Sequence, residues 1–348
     1  MKARLMAPIS LTLLMCGACR AATDPVAPEP EKAPGYRTYA MGFSPIAPAG
    51  EVATLRTVID SMAAVSDIAI IQHHVPWPEL FAGVPMDSLV EGQGRVADHL
   101  RAMGMDVIFV VDPLDAWDRR KEDPALLAAG RSLEEPSIRA MYEEWVRGIA
   151  RRVHPKWFGL ASEINTLAAR GDPTLYATVR GLVNDLAPQV RELSPSSSVF
   201  VSFQADEANG RFGPEPVDNL TLIDDFDIDA LGLSSYPVFF FNQPSDIPSD
   251  YFTRFAKATD LPLLFVEGGW SSADVPGSPG TPEQQVAFLD RYEELLDGIQ
   301  AKVWVMLTFE DQADAPPDFA HMGIVDAGLR RKPAYAAWNR IFDRPPAR

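Results

Sequence analysis

Residues 228–236 read IDALGLSSY and residues 262–267 read PLLFVE, and the segment between them, Ser249–Thr259, has helical periodicity. Continuous apolar runs of this length are typical of strands buried on both faces, as in parallel sheets. A helix between two such strands is the unit that joins parallel neighbours. This stretch therefore indicates an α/β fold built on a parallel sheet.

The same alternation of strand and helix extends in both directions along the chain. The six further apolar runs are Tyr39–Ser44, Asp67–Gln72, Asp106–Asp112, Trp157–Glu163, Ser198–Gln204 and Lys302–Phe309. Eight such units in about 300 residues match a (β/α)8 barrel in count and length. A doubly wound open sheet is the alternative, but it would want a glycine-rich phosphate turn, and residues 41–50 (MGFSPIAPAG) contain no GxGxxG. We therefore predict a single (β/α)8 TIM barrel over residues 36–348.

The N-terminus has the pattern of an export signal. A short basic start is followed by an apolar run, Ile9–Cys16, and then by the small residues Gly17 and Ala18. Cys19 directly after them resembles a bacterial lipoprotein box, in which the cysteine becomes the lipidated first residue. We predict a lipoprotein-type signal peptide over residues 1–18, with a plain signal peptide cut a few residues later as the alternative.

Residues 19–35 connect this signal to the barrel. The sequence 20–35, RAATDPVAPEPEKAPG, is rich in Ala, Pro and Glu, which is typical of an extended tether. We therefore expect an exported protein, anchored through Cys19 to a bacterial membrane on the periplasmic or outer side, or secreted. After residue 18 the sequence contains no apolar run of transmembrane length.

Charge and cysteine content exclude several functions. The chain has 31 Lys+Arg against 48 Asp+Glu, a formal net charge of −17, which argues against a nucleic-acid partner. Both cysteines, Cys16 and Cys19, precede the barrel, so the barrel has no cysteine for a disulfide or a metal site. We expect a monomer without cofactor or metal.

Two glutamates carry the chemistry that the sequence predicts. In a (β/α)8 barrel the active site lies where the strands end, and Glu163 and Glu267 are the last residues of the fourth and seventh apolar runs. Either glutamate alone could be an ordinary loop residue or part of an ion pair. Strands four and seven face each other across the barrel, so the pair can converge on one bond, as retaining glycosidases require.

This pattern resembles glycoside hydrolase clan A, the (β/α)8 retaining enzymes. Within the clan it is most similar to the family 53, endo-galactanase-like branch, where strand seven ends in Glu followed by Gly and Trp, as in residues 267–270 (EGGW). The resemblance implies that Glu163 is the acid/base and Glu267 the nucleophile. It also implies a carbohydrate substrate.

Further positions match the clan in part. The resemblance implies that Tyr236 hydrogen-bonds the nucleophile and that Trp304 forms the floor of the sugar subsite. The clan usually has Asn immediately before the acid/base, where this chain has Ser162. A serine side chain is shorter and has one donor, which weakens a contact to the sugar 2-hydroxyl. Asn165 is a candidate substitute for that contact.

Three more residues are candidate sugar contacts. Trp270 adjoins Glu267 and is a candidate subsite aromatic. Trp77 is a candidate stacking platform or, equally, an anchor for its loop. His73 would bind a sugar hydroxyl if it faces the mouth of the barrel, and a structural role is the alternative, since His73 and its neighbour His74 point to opposite faces of a strand.

The sequence thus predicts a retaining glycoside hydrolase that cleaves β-glycosidic bonds by double displacement. A carbohydrate-binding lipoprotein without turnover is one alternative, supported by Ser162. A barrel enzyme of another class, such as a metal-dependent hydrolase or an aldolase, is a second. The strand ends lack the His pairs of the former, and Lys156 and Lys302 precede strands rather than follow them.

Overall fold

A computed structural model describes residues 35–46, 52–213, 219–274 and 280–347. Eight parallel strands form one closed barrel in chain order, β1 to β8, with β8 paired to β1. The prediction of a (β/α)8 barrel is therefore confirmed. The strands are β1 Ala40–Phe43, β2 Ile68–His74, β3 Asp106–Asp112, β4 Trp157–Gly159, β5 Ser198–Gln204, β6 Ala230–Ser235, β7 Leu263–Gly268 and β8 Val303–Met306.

Helices surround the barrel, and some of them begin after a residue whose side chain caps the helix N-terminus. The α-helices are α1 Val52–Met62, α2 Trp77–Phe81, α3 Met86–Ala102, α4 Pro124–Ala128, α5 Pro136–Val153, α6 Ile164–Arg170, α7 Pro173–Leu193, α8 Ala205–Ala208, α9 Thr253–Ala258, α10 Pro282–Asp297 and α11 Pro333–Phe342. Asp172 and Thr281 cap α7 and α10 by accepting from backbone N–H groups, and each precedes a proline at the first helical position. Short 3₁₀ turns occupy Ala63–Val65, Leu220–Asp225, Pro237–Phe239 and Pro244–Asp246.

Strand side chains alternate between two apolar cores. One face fills the barrel interior with Ile68, Ile70, Ile108, Val110, Phe200, Ala230, Leu264, Val266, Val303 and Val305. The other face packs on the helices in a larger core. Because the side-chain period of a strand is two, this alternation decides which residue at each strand end points toward the barrel mouth.

The predicted signal peptide over residues 1–18 and all but Gly35 of the predicted tether over residues 19–35 lie outside the described residues, as does Cys19. Within the described ranges, no helix is both long and apolar enough to cross a bilayer. The same ranges contain no group of three or more His, Cys, Asp or Glu side chains arranged to hold a metal ion.

Candidate active site

A cavity of about 630 Å³ opens at the end of the barrel where the strands terminate. Its wall combines side chains from strand ends with side chains from the loops that follow them. The strand-end residues are Gln72, His74, Glu163, Gln204, Tyr236, Glu267 and Leu307, and the loop residues include Trp117, Arg119, Arg120, Phe212, Phe239 and Phe319. Both predicted catalytic glutamates therefore face one cavity.

Glu163 is positioned by an unusual backbone conformation. It lies between β4 and α6 with φ of 49°, in the left-handed region, which costs a non-glycine residue about 1–2 kcal/mol. Its backbone N–H donates to Ser202 Oγ at 2.9 Å, and Ser234 Oγ donates to its Oε1. Non-glycine residues in this conformation are found preferentially at functional sites.

Glu267 reaches the cavity because of an irregularity between β6 and β7. Leu233 pairs with Phe265 but Ser234 pairs with Glu267, so Val266 has no partner across the ladder. A bulge of this kind re-aims the side chains that follow it. Val266 belongs to the barrel interior, and the extra residue lets Glu267 face the same side. Tyr236 Oη donates to Glu267 Oε2 at 3.1 Å, the contact that the resemblance implies.

Arg119 joins the two glutamates. Its Nε donates to Glu163 Oε2 at 3.3 Å, and its Nη2 lies 3.9 Å from Glu267 Oε1. Asp112, at the end of β3, pairs with the same guanidinium, which is only 6% exposed. One buried cation therefore holds carboxylates from β3, β4 and β7 together. Arg119 was not predicted from the sequence, because it is one of several charges in the run 118–123 (DRRKED).

The electrostatics of the pair follow from burial. Burial and the neighbouring Glu163 raise the pKa of Glu267 to about 7, while Arg119 and Gln72 act in the opposite direction. The site therefore disfavours a second negative charge on Glu267 beside that of Glu163 below about that pH. Burial alone would lower the pKa of Arg119, but Asp112 and the two glutamates raise it, so Arg119 stays charged. Burial also raises the pKa of Tyr236, which stays a neutral donor.

His74, rather than His73, faces the cavity. Ile68 and Ile70 point into the barrel, so Gln72 and His74 follow on that face and His73 points outward. The Nδ1 of His73 instead lies 2.6 Å from the carbonyl oxygen of His74. The expectation for His73 is therefore corrected to His74, whose Nδ1 lies 3.1 Å from Asp123. Burial would lower the pKa of His74, but Asp123 and Asp112 raise it.

Trp304 does not form the floor of the cavity. Its neighbours Val303 and Val305 fill the barrel interior, so Trp304 points outward, where its ring lies 5.5 Å from Tyr292 and 5.1 Å from Trp338. The inward position at the end of this strand is Leu307, which lines the cavity. The part of the wall that the resemblance assigns to a tryptophan is therefore aliphatic.

The other two predicted aromatic contacts are also buried away from the cavity. Trp270 has no exposed surface, and its ring packs 5.7 Å from Phe288 of α10. Trp77 is likewise fully buried at the start of α2, where it stacks on Phe81 at 5.9 Å. Both are held by core packing, which corrects the expectation of sugar contact for each. For Trp77 the structure agrees with the alternative, an anchor for its loop.

Ser162 and Asn165 lie next to the cavity without lining it. Ser162 is 2% exposed and accepts from Gln72 Nε2 at 3.4 Å. Asn165 is fully buried, donates to the carbonyl of Gln204 at 3.0 Å and accepts from its N–H at 2.7 Å. Asn165 therefore ties α6 to the end of β5, and the expected sugar contact is corrected to a structural one.

Aromatic side chains that were not predicted as site residues form one wall of the cavity. Phe319 lies 5.3 Å from Tyr236, 5.4 Å from Phe239 and 5.5 Å from Trp117. Phe212 lies at another part of the wall. These residues are on loops of mixed polarity, where no periodic pattern distinguishes a ring that faces a cavity from one that faces solvent.

No protein-family model and no curated protein matches this sequence. Solved structures do match. A GH5_18 protein from Bifidobacterium longum subsp. longum, in complex with Manβ1-4GlcNAc, has 14% identity and a TM-score of 0.68 over 89% of this chain and 80% of that one. The exo-β-1,4-mannosidase Op5Man5 from an Opitutaceae bacterium has 16% identity and a TM-score of 0.65 over 90% of this chain and 61% of that one.

Xylanase 10B from Thermotoga petrophila, in complex with xylobiose, has 12% identity and a TM-score of 0.58 over 88% of this chain and 94% of that one. At this identity the comparisons establish the fold. None of the three is named as a family 53 enzyme, so the narrower resemblance stays a prediction. The chain shares the (β/α)8 barrel of these glycosidases.

Proposed function

We propose that this protein is a retaining glycoside hydrolase of the clan A type, with Glu267 as nucleophile and Glu163 as acid/base. The observation that carries the proposal is the meeting of both carboxylates, from β4 and β7, on one guanidinium at one cavity. The fold that this chain shares with solved glycosidase structures supports the proposal. The substrate is a β-linked oligosaccharide or polysaccharide. The EGGW ending of β7 supports the family 53 branch.

The reaction proceeds in two displacements. In the first, a Glu267 oxygen forms a bond to the anomeric carbon while the glycosidic C–O bond breaks and Glu163 gives its proton to the leaving oxygen. In the second, Glu163 takes a proton from water, the water oxygen bonds to the anomeric carbon, and the Glu267 ester bond breaks. Both residues return to their starting protonation.

The single shared proton suits this sequence of steps. The reactive form has one proton on the pair, placed on Glu163, and an ionised Glu267 that Tyr236 and Arg119 contact. Formation of the glycosyl-enzyme removes the charge of Glu267, which makes it easier for Glu163 to ionise and then act as a base. Above about pH 7 Glu267 is ionised even beside the charge of Glu163, and the two carboxylates then hold no proton for the leaving oxygen.

A carbohydrate-binding protein without turnover is the second candidate. Ser162 stands where the clan usually has Asn, and Leu307 occupies the inward position after β8. Arg119 also engages both carboxylates. Each feature weakens a contact or step that hydrolysis uses and leaves an aromatic-walled cavity able to bind a sugar.

The remaining proposals concern location and assembly. We propose that residues 1–18 are a lipoprotein-type signal, that Cys19 is lipidated, and that residues 19–35 tether a monomeric barrel to a bacterial membrane. The basic start, apolar run and small residues before Cys19 support this proposal. The test is the release of labelled lipid from the protein. We expect release from the wild type and none from Cys19→Ala.

The catalytic proposal is tested with the purified protein and a panel of β-linked galactans, mannans, glucans and xylans, with new reducing ends as the readout. Glu267→Gln removes the nucleophile without changing the side-chain shape, and we expect activity to fall at least about a thousandfold. Glu79→Gln makes the same chemical change at an exposed position outside the cavity and should leave activity unchanged. Turnover that survives in Glu267→Gln would contradict the proposal.

A further inference from the structure

We infer that Trp117, backed by Phe319, is the platform for a second sugar unit in the cavity, beyond the one whose bond is cleaved. This inference rests on the proposed function and adds to it that the substrate has at least two sugar units. It begins from an exposed indole at the mouth of the cavity. Trp117 is 65% exposed and lines the same cavity as Glu163 and Glu267.

The loop that carries Trp117 is held in place without the indole. Leu114 and Glu122 pair across its base, and the N–H of Asp115 donates to the carbonyl of Lys121 at 3.1 Å. The carboxylate of Asp115 accepts from the N–H of Trp117 at 2.8 Å. Residues 114–122 therefore form a small hairpin whose tip presents Trp117 outward and Arg119 inward.

A structural role does not account for Trp117. Full burial of a large apolar side chain contributes about 1.5–3 kcal/mol, and an indole that is 65% exposed forgoes most of this. Exposed apolar surface rimmed by polar groups is a mark of binding sites, and the charged neighbours Asp118 and Arg120 line the same cavity. Flat apolar surface at such a place is suited to the C–H face of a pyranose ring.

A line of rings connects Trp117 to the reacting groups. The Trp117 and Phe319 rings are 5.5 Å apart, the Phe319 and Tyr236 rings are 5.3 Å apart, and Tyr236 Oη donates to Glu267 at 3.1 Å. Two rings thus stand between the indole and the nucleophile. A sugar on Trp117 therefore shares the cavity with the one at Glu267, with these two rings between them.

The rest of the cavity supports the choice of Trp117. Leu307 occupies the inward position after β8, so no tryptophan stacks on the sugar from there. Phe212 is also exposed at the cavity, but its ring lies 5.0 Å from the ring of Phe240 and 5.9 Å from the guanidinium of Arg170. Among these aromatic walls, Trp117 is the one with a largely uncovered ring.

The experiment compares Trp117→Ala, Trp117→Phe and Phe81→Ala, using the full chain. Phe81 is an exposed aromatic outside the cavity, 39% exposed, and serves as the matched control. We would measure kcat and KM on cello-, manno-, galacto- and xylopentaose and on the shortest substrate that the wild type hydrolyses. Thermal unfolding checks that each variant is folded.

We expect Trp117→Ala to raise KM for the pentasaccharide about fivefold to tenfold with kcat nearly unchanged. This change in KM corresponds to the loss of one ring contact. Trp117→Phe should restore most of this loss, and Phe81→Ala should match the wild type. An unchanged KM in Trp117→Ala would overturn the platform while leaving the hydrolase proposal intact.

Binding separates failure of the platform from failure of the hydrolase proposal. If the wild type hydrolyses no pentasaccharide, calorimetric titration of the same four sugars into Glu267→Gln, with and without Trp117→Ala, tests the platform alone. A fivefold to tenfold weaker Kd in the double variant would support it. Equal affinity, or no binding of any of the four, would overturn it.

Discussion

Arg119 sets the pH range in which the glutamate pair keeps its proton. Its Nη2 lies 3.9 Å from Glu267 Oε1, and two unit charges at that distance interact by about 4 kcal/mol at an effective dielectric constant of 20. At 1.36 kcal/mol for each pKa unit this corresponds to about three units. Water that enters the space left by the side chain screens part of the interaction, so we expect between about one and three units.

The test is the pH dependence of kcat/KM in Arg119→Gln. With Arg119 present, the pKa of Glu267 beside Glu163 is raised to about 7, so we expect the wild-type activity to fall above that pH, where both carboxylates are charged. Loss of the positive charge disfavours the fully ionised pair, and the alkaline limb should therefore move up by one to three units. Arg119→Lys keeps a charge and should leave the limb within about half a unit of the wild type.

Folding has to be controlled, because removal of one partner from a buried ion cluster costs about 3–5 kcal/mol. Thermal unfolding at each assay pH shows whether Arg119→Gln is folded. Arg120→Gln provides the matched control, since Arg120 lines the cavity but is 53% exposed and pairs with Asp118. A limb that stays in place in folded Arg119→Gln, or moves to lower pH, would refute the reasoning.

Three further predictions concern the carboxylates and their partners. Burial raises the folded-state pKa of Glu267 to about 7, above its unfolded value, so its contribution to stability is present below about pH 4.5 and is lost as the pH rises through 7. The free energy of unfolding of Glu267→Gln should therefore rise by about 2–3 kcal/mol relative to that of the wild type between pH 5 and pH 8. An equal difference between the two proteins at both pH values would contradict this. Tyr236→Phe removes the 3.1 Å hydrogen bond to Glu267 and should lower kcat about tenfold to a hundredfold, whereas an unchanged kcat would mean that Tyr236 has no part in orienting the nucleophile. Asp206 accepts from Tyr251 Oη at 2.6 Å and from the Tyr236 N–H at 2.7 Å, so Asp206→Asn should lower the free energy of unfolding by about 1–3 kcal/mol, measured in urea, and an unchanged midpoint would count against it.

The barrel could be predicted from the sequence because its strands are nearly continuous apolar runs. Each of the eight predicted runs overlaps one observed strand, and the glutamates after β4 and in β7 follow from that placement. The short helices α2, α4, α6 and α8, which lie in the connections after strand ends, were not predicted, because segments of four to seven residues are too short to show a period.

The direction of side chains at the barrel mouth could not be predicted in the same way. Trp304 lies between two valines, so hydrophobicity alone does not show which of the three faces the helices. The unpaired Val266 changes the alternation just before Glu267, and no residue type marks it. Arg119 and Trp117 depend on a hairpin whose base pairs Leu114 with Glu122, a long-range detail of loop geometry.

The most direct test of the account is covalent trapping of Glu267. The protein would be incubated with 2-deoxy-2-fluoro β-glycosyl fluorides of the gluco, manno, galacto and xylo series, whose anomeric fluoride leaves as the Glu267 bond forms. The mass of the intact protein and of its peptides would then be measured. We predict one added glycosyl group, on the peptide that contains Glu267, and none in Glu267→Gln. Turnover of a natural substrate without any label, or a label on Glu163 instead, would contradict the assignment of Glu267 as the nucleophile.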